Sequence, residues 1–188
     1  MRNIRIIKTG LNVEAIKQQL NQYADDWGLQ KNLDGVALQD PEKYYTTVDV
    51  LQLVMGGIEQ DGQYVGDTEI CIPTPAFKRH TAMLEMLRDE LKVPTVRRCA
   101  FFKIPVGHKV GRHTDFGSYY LNKDRYHVSI SGRYEYKVYD PDGSVDQVVI
   151  EPGTFFWFNN KLDHESQNIA NEPRIAFIFD VPMDPRNP

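Results

Sequence analysis

From Val96 onward the chain is cut into short apolar or alternating runs, recurring about every ten residues. They are Arg98–Ile104, Tyr126–Ser131, Tyr134–Asp140, Val145–Ile150, Thr154–Phe158 and Arg174–Val181. Turn chemistry separates them: Pro-Val-Gly at 105–107, Asp-Pro-Asp-Gly at 140–143 and Glu-Pro-Gly at 151–153. A run this short is a strand rather than a helix, and a series of them must close on itself or on a second sheet to bury its apolar faces. The pattern therefore predicts a mainly β architecture, a sandwich or barrel such as an eight-strand jelly roll.

The first half of the chain has a different texture. Val13, Ile16, Leu20, Tyr23 and Trp27 are spaced three and four apart, which predicts a helix over Asn12–Trp27 with Asn12 as its cap and Gly28 as its stop. A second helix is expected from Thr74 to about Lys92. Pro75 stands at its first position and Phe77, Leu84, Leu87 and Leu91 form one stripe, with His80 as a structural or surface residue. Tyr45–Val54 is rich in β-branched residues and reads as a strand. Residues 60–74 read as a long loop, a place where lids are found. One domain over 1–188 is expected. Residues 1–95 supply helices, strands and loops packed outside the barrel, and 96–182 form its core.

Composition narrows the function. Lys plus Arg is 22 against 26 Asp plus Glu, a net charge of −4, which argues against nucleic acid or anionic lipid as a partner. Cys71 and Cys99 are too few for a disulfide framework or a cysteine zinc site and are expected as reduced thiols. The N-terminus lacks a secretory apolar stretch, and Phe155–Phe158 is far short of the ~20 residues of a membrane span. These features predict a soluble cytoplasmic protein.

Five histidines are present, of which His108 is expected at the surface. His113 and Asp115 stand two apart in Gly-Arg-His-Thr-Asp over 111–115. In extended chain, side chains at i and i+2 leave from one face, so an imidazole and a carboxylate can grip one ion together. His164, just past the apolar strand and a polar turn, is the candidate third ligand. Two histidines and one carboxylate with open positions opposite are the ligand set of non-haem Fe(II) oxygenases, because iron must hold an organic co-substrate and O₂ together. Arg174, ten residues after His164, heads an apolar strand where a buried guanidinium needs an anion. The dicarboxylate 2-oxoglutarate supplies one, with one end on iron and the other on arginine. The alternative at that point is a surface pair with Glu172. In Arg125–Ser131, Arg125, His127, Ser129 and Ser131 alternate with Tyr126, Val128 and Ile130, so a polar face can line a cofactor cavity.

Taken together, Gly-Arg-His-Thr-Asp at 111–115, Arg-Tyr-His-Val-Ser-Ile at 125–130, Glu-Pro-Gly-Thr-Phe-Phe-Trp-Phe at 151–158, Asp-His-Glu-Ser at 163–166 and Arg-Ile-Ala-Phe-Ile-Phe-Asp-Val at 174–181 resemble the aspartyl/asparaginyl β-hydroxylase family of Fe(II)/2-oxoglutarate dioxygenases. That family includes free-proline hydroxylases. The likeness spans roughly 97–182. It implies a double-stranded β-helix, cupin-like, with His113 and His164 as histidine ligands, Arg174 on the distal carboxylate of 2-oxoglutarate, and Arg125 and His127 beside the co-substrate near its iron-binding end. The protein-modifying branch carries Gly where this chain has Asp115, so the His-x-Asp here is closer to the proline-hydroxylase branch. Asp115 also argues against a halogenase, which vacates that position for chloride.

The expected activity is hydroxylation of an unactivated carbon of an amino acid or of a peptide or protein side chain. Fe(II), 2-oxoglutarate and O₂ are consumed or used, and succinate and CO₂ are co-products. Arg112, Tyr119, Tyr120 and Trp157 are the candidates for the substrate mouth. The competing readings are a cupin-like metal-dependent isomerase or small-ligand binding module on the same fold, and a metal-free β-domain; Arg174 discriminates against both.

Overall fold

The computed structural model describes residues 1–28, 48–58, 64–65, 69–93, 95–115 and 117–183. Its strands are β1 (Ile4–Lys8), β2 (Asp49–Met55), β3 (Gly57–Ile58), β4 (Tyr64–Val65), β5 (Ile72–Pro73), β6 (Cys99–Ile104), β7 (Lys109–His113), β8 (Lys123–Ser131), β9 (Tyr134–Tyr139), β10 (Val145–Ile150), β11 (Phe155–Phe158), β12 (Asp163–Asn168) and β13 (Arg174–Pro182). The α-helices are α1 (Glu14–Gln22), α2 (Thr81–Glu85) and α3 (Ser118–Leu121).

Two antiparallel sheets make the frame. A major sheet runs β1-β11-β8-β13-β6-β2-β5, a minor sheet runs β10-β9-β12-β7, and β3 and β4 form a separate ribbon. This is the jelly-roll, cupin-like architecture that the strand spacing predicts. All six expected strands are present, within a few residues of their expected ends.

Strand alternation divides the apolar side chains between two cores. Leu51, Leu53, Phe101, Val128, Phe155, Phe177 and Phe179 leave the major sheet on its outer face. There they meet Ile16 and Leu20 of α1, Met83 of α2, and Met86 and Leu87 just beyond it. The helices thus pack outside one sheet, as expected. Ile4, Phe156 and Phe158 leave the inner face and meet Tyr134, Tyr136, Val138 and Ile150 of the minor sheet. At ~25 cal/mol per Å², each buried aromatic of this kind contributes on the order of 2–3 kcal/mol to holding the layers together.

The helices are shorter than the periodicity suggests. Asn12 Oδ1 accepts the Glu14 N–H at 3.1 Å, so it does shield the start of α1. The segment then tightens to a 3₁₀ turn over Ala24–Asp26. The helix expected over Thr74–Lys92 is broken into a 3₁₀ turn (Pro75–Lys78), α2 and a π-turn (Met86–Glu90). Two local bonds explain the start and the break. Thr74 Oγ1 donates to the Gln52 carbonyl at 2.6 Å instead of capping, and buried His80 is drawn to Asp26 by its Nε2 at 2.9 Å. His80 is therefore structural; burial, which outweighs the adjacent Asp26, lowers its pKa.

Six strands go unforeseen: β1, β7 and β12, and the two-residue strands β3, β4 and β5, of which β4 and β5 fall in the stretch expected as a loop. The expected strand at 45–54 starts at Asp49, and residues 45–47 lie outside the described residues. The expected lid at 60–74 also falls partly outside them. Within them, Glu69 accepts from Lys123 Nζ at 2.8 Å and from Arg97 Nη2 at 3.2 Å. Cys71 and Cys99 are both free thiols. Among the described residues no helix is long and apolar enough to cross a membrane.

Candidate metal centre and cavity

The cavity lies between the sheets and has a volume of about 210 Å³. His113 closes β7 and His164 lies in β12, and the two residues face each other across the strand pair. Their rings are 4.3 Å apart between centroids. Asp115 follows two residues beyond His113, and one ligand atom from each of the three falls within 4.8 Å of the others. The spacing argument is therefore realised: His-x-Asp supplies two donors and the neighbouring strand supplies the third.

The imidazoles are oriented from behind. His113 Nδ1 lies 2.7 Å from the Gly111 carbonyl, and His164 Nδ1 lies 2.9 Å from the Leu162 carbonyl. A carbonyl only accepts, so each Nδ1 carries the hydrogen and each Nε2 keeps its lone pair for an ion. Burial, with a smaller push from His113, lowers the His164 pKa to about 4 against the attraction of Asp115, keeping the ring neutral and ready to ligate. The donor set fits a divalent transition ion with open coordination positions.

Asp115 is held by a second carboxylate through an arginine. Arg125 of β8 donates from Nη1 to Asp115 Oδ2 at 2.9 Å. It also donates from Nε and Nη2 to the two oxygens of Asp180 at 2.7 and 3.0 Å. Asp180 is 1% exposed, so this bidentate pair is a buried, charge-assisted clamp. One oxygen of Asp115 is engaged by Arg125, which leaves the other for an ion. Tyr120 lies under the same guanidinium, 4.6 Å from its ring centroid.

At the other end of β13, Arg174 is 2% exposed. Its Nη1 donates to Ser166 Oγ at 2.6 Å and its guanidinium carbon lies 3.8 Å above the Tyr134 ring. Its Nε has no hydrogen-bond partner, and no carboxylate among the described residues forms an ion pair with it. The Glu172 alternative does not hold: that carboxylate accepts the Gly132 N–H at 3.3 Å. A buried guanidinium without an anion is costly, and this one lines the cavity.

The polar face of β8 is turned inward, as its alternation suggests. Arg125 and His127 both line the cavity. His127 is packed edge-on against Phe156 and Phe158, and burial, aided by Arg174 and Arg125, holds its pKa well below the usual histidine range.

Of the four side chains expected at the mouth, Tyr120 lines the cavity and the other three do not. Trp157 is a correction. On β11, Phe156 and Phe158 point inward, so Trp157 must point outward, where its Nε1 donates to buried Asp124 at 3.0 Å. Tyr119 is buried behind the cavity wall, accepting the Arg98 N–H at 3.3 Å. Arg112 turns to the outside of the minor sheet, bonded to Asp163 at 2.9 Å and stacked 3.9 Å from the Tyr139 ring centroid. His108 is exposed, as expected. Sequence reasoning missed Asp180 and Ser166. Both were within reach of the alternation rule, since Asp180 shares a face with Arg174 and Ser166 shares one with His164.

No family model and no curated protein matches the chain. Solved structures do. An oxidoreductase of the 2OG-Fe(II) oxygenase family from Burkholderia pseudomallei superposes with a TM-score of 0.57 at 13% identity, over 94% of this chain and 91% of that one. Lactobacillus farciminis oxalate decarboxylase gives 0.39 at 18% identity over 46% and 24% of the two chains. An oxalate oxidase bound to glycolate gives 0.40 at 11% identity over 47% and 43%. The likeness to the Burkholderia protein establishes the fold along nearly the full length of both chains.

Proposed function

We propose that this protein is an Fe(II)- and 2-oxoglutarate-dependent oxygenase that hydroxylates an unactivated carbon of an amino acid or of a peptide or protein side chain. The observation that carries the reading is Arg174: a buried guanidinium, without an anionic partner among the described residues, in the same cavity as a His-Asp-His set. The likeness of fold to a 2OG-Fe(II) oxygenase family protein supports it. A cupin-like isomerase or binding module has no use for a carboxylate receptor there. The assignment to the hydroxylase branch with His-x-Asp, and to a cytoplasmic setting, belongs to the same proposal.

His113, Asp115 and His164 hold the iron. When bound, iron with 2-oxoglutarate and O₂ supplies the oxidising power for C–H hydroxylation, with succinate and CO₂ as co-products. The chain supplies position and exclusion. Arg174 and the Ser166 hydroxyl receive the distal carboxylate, and the Tyr134 ring fixes the plane of the guanidinium. The Arg125–Asp180 clamp fixes the carboxylate of Asp115. Phe102, Ile104, Phe158 and Ile178 supply apolar stretches of the wall that help to keep water from the reacting centre. No side chain is needed as a general base.

The test is O₂-dependent formation of succinate from 2-oxoglutarate by ferrous protein. Arg174→Met is expected to raise the KM for 2-oxoglutarate roughly ten- to a hundredfold with the metal retained. His113→Ala and Asp115→Ala are expected to lose both metal and turnover. Full turnover in the two ligand variants would remove the basis of the assignment.

A further inference from the structure

The backbone ladder between the two histidine strands is weakest at the ligands themselves. β7 is the outermost strand of the minor sheet, so it has a strand partner on one side only. Its ladder with β12 is interrupted by a bulge: Gly111 and Arg112 stand opposite the single residue Glu165, between the Val110–Ser166 and His113–His164 rungs. β7 then ends at His113, so Asp115 lies past the last rung. Two of the three candidate ligands therefore sit at the end of an edge strand, whereas an ion needs its donors held to within about 0.5 Å.

The reverse face of the minor sheet supplies what the ladder lacks. One carboxylate, that of Asp163, grips both neighbours of His113. Its Oδ1 accepts the Thr114 hydroxyl, and its Oδ2 accepts the Arg112 Nε–H at 2.9 Å. In extended chain the residues on either side of a position point to the opposite face, so these bonds lie behind His113 rather than beside the ion. Asp163 itself directly precedes His164, whose side chain points inward. A single carboxylate thus ties the residue before one imidazole to the residues flanking the other. The layer is packed as well as bonded. The Arg112 guanidinium carbon lies 3.9 Å from the centre of the Tyr139 ring, and Tyr139 is the β9 partner of Asp163. The Tyr139 hydroxyl in turn donates to Glu165, the residue that follows His164, at 2.8 Å.

These bonds contribute little to holding the protein together. The Arg112 and Asp163 side chains are 53% and 42% exposed, and an ion pair in that setting adds little to stability. What they fix is geometry. Thr114 stands between His113 and Asp115, one residue from each, so anchoring its hydroxyl sets the direction in which the chain leaves the sheet and carries Asp115 to the site. Arg125 holds the Asp115 carboxylate from inside the cavity. The carboxylate ligand is therefore located from both faces of the sheet.

We propose that Asp163, acting through Thr114 and Arg112, is a positioning residue for the metal centre: an outer-face staple that sets the spacing of His113 and Asp115 relative to His164. This role rests on the oxygenase reading of the site. It also gives Arg112 a place in the support of the metal centre instead of at a substrate mouth.

The experiment uses the full chain, stripped of metal and titrated with Co(II), whose visible d–d bands report the geometry of its ligands. Asp163→Ala and Thr114→Val are each expected to weaken Co(II) binding roughly tenfold and to alter the bands, while the thermal midpoint of the metal-free protein stays nearly unchanged. Thr114→Ser, which keeps the hydroxyl, is expected to restore both affinity and bands. Asp163→Ala already removes the acceptor of the Thr114 bond, so adding Thr114→Val to it is expected to cost no further affinity. If Asp163→Ala and Thr114→Val bind Co(II) with unchanged affinity and bands, if affinity falls only in step with the thermal midpoint, or if Thr114→Ser behaves as Thr114→Val does, the staple is overturned while the oxygenase reading stands. If the unaltered protein binds neither Co(II) nor Fe(II), the oxygenase reading itself falls and takes the staple with it.

Discussion

Asp180 illustrates how much of a metal site lies outside its ligands. It is not one of the three candidate ligands, yet its two oxygens hold the guanidinium that holds Asp115. Replacing it by asparagine keeps the shape and removes the charge, so Arg125 is left pulling on Asp115 alone. Asp180→Asn is expected to weaken Fe(II) or Co(II) affinity by about ten- to a hundredfold, the usual cost of losing an outer-shell partner. Equilibrium titration of the metal-free protein measures it, and unchanged affinity would show the clamp to be idle. His164 gives a second prediction at this scale. Its folded pKa of about 4 lies below the ordinary 6.5, so the unfolded chain binds the extra proton first. Stability is therefore highest above pH 6.5, falls as pH drops through that value, and has lost about 3 kcal/mol from this residue by pH 4. Denaturant titrations of metal-free protein at pH 7 and pH 4.5 should show that slope, and His164→Gln should make it shallower while the share of buried His80 and His127 remains.

Strands explain what could and could not be read in advance. The six runs with apolar or alternating texture were legible because their outer or inner faces feed the two cores. β7 and β12 were not. Lys-Val-Gly-Arg-His and Asp-His-Glu-Ser-Gln-Asn have no apolar stripe, since their inward positions are given to ligands and to Ser166 rather than to packing. The signal for the metal set survived in the residue types while the signal for the strands that carry it was lost. β1 was hidden differently, as a short apolar patch interrupted by Arg5, whose guanidinium lies 5.2 Å from the Trp157 ring centroid. Trp157 shows the cost of reading proximity in sequence without alternation. Its neighbours Phe156 and Phe158 face inward, and it faces out. Trp157→Phe is expected to leave turnover and metal binding intact while lowering stability by about 1–3 kcal/mol, because Asp124 loses its buried donor. A drop in kcat without a drop in stability would place the indole in the chemistry after all.

The molecule as a whole separates stability from chemistry by face. The helices and the larger core lie behind the major sheet, and the cavity lies in front of it, so the residues that make the chain fold are mostly not those that would make it react. That division was visible in the sequence as two textures, one before and one after Val96, although the first supplies more strands than it advertised. The pairing of β7 with β12 carries a mechanical consequence. β7 is the outermost strand of the minor sheet, and the rung where it meets β12 is the one that bears both imidazoles. An ion seated there would rivet a free margin of the protein to its neighbour. Loading the site should slow deuterium uptake at the amides of 109–113 far more than at those of β10, the opposite margin, and stripping the ion should let that ribbon breathe again.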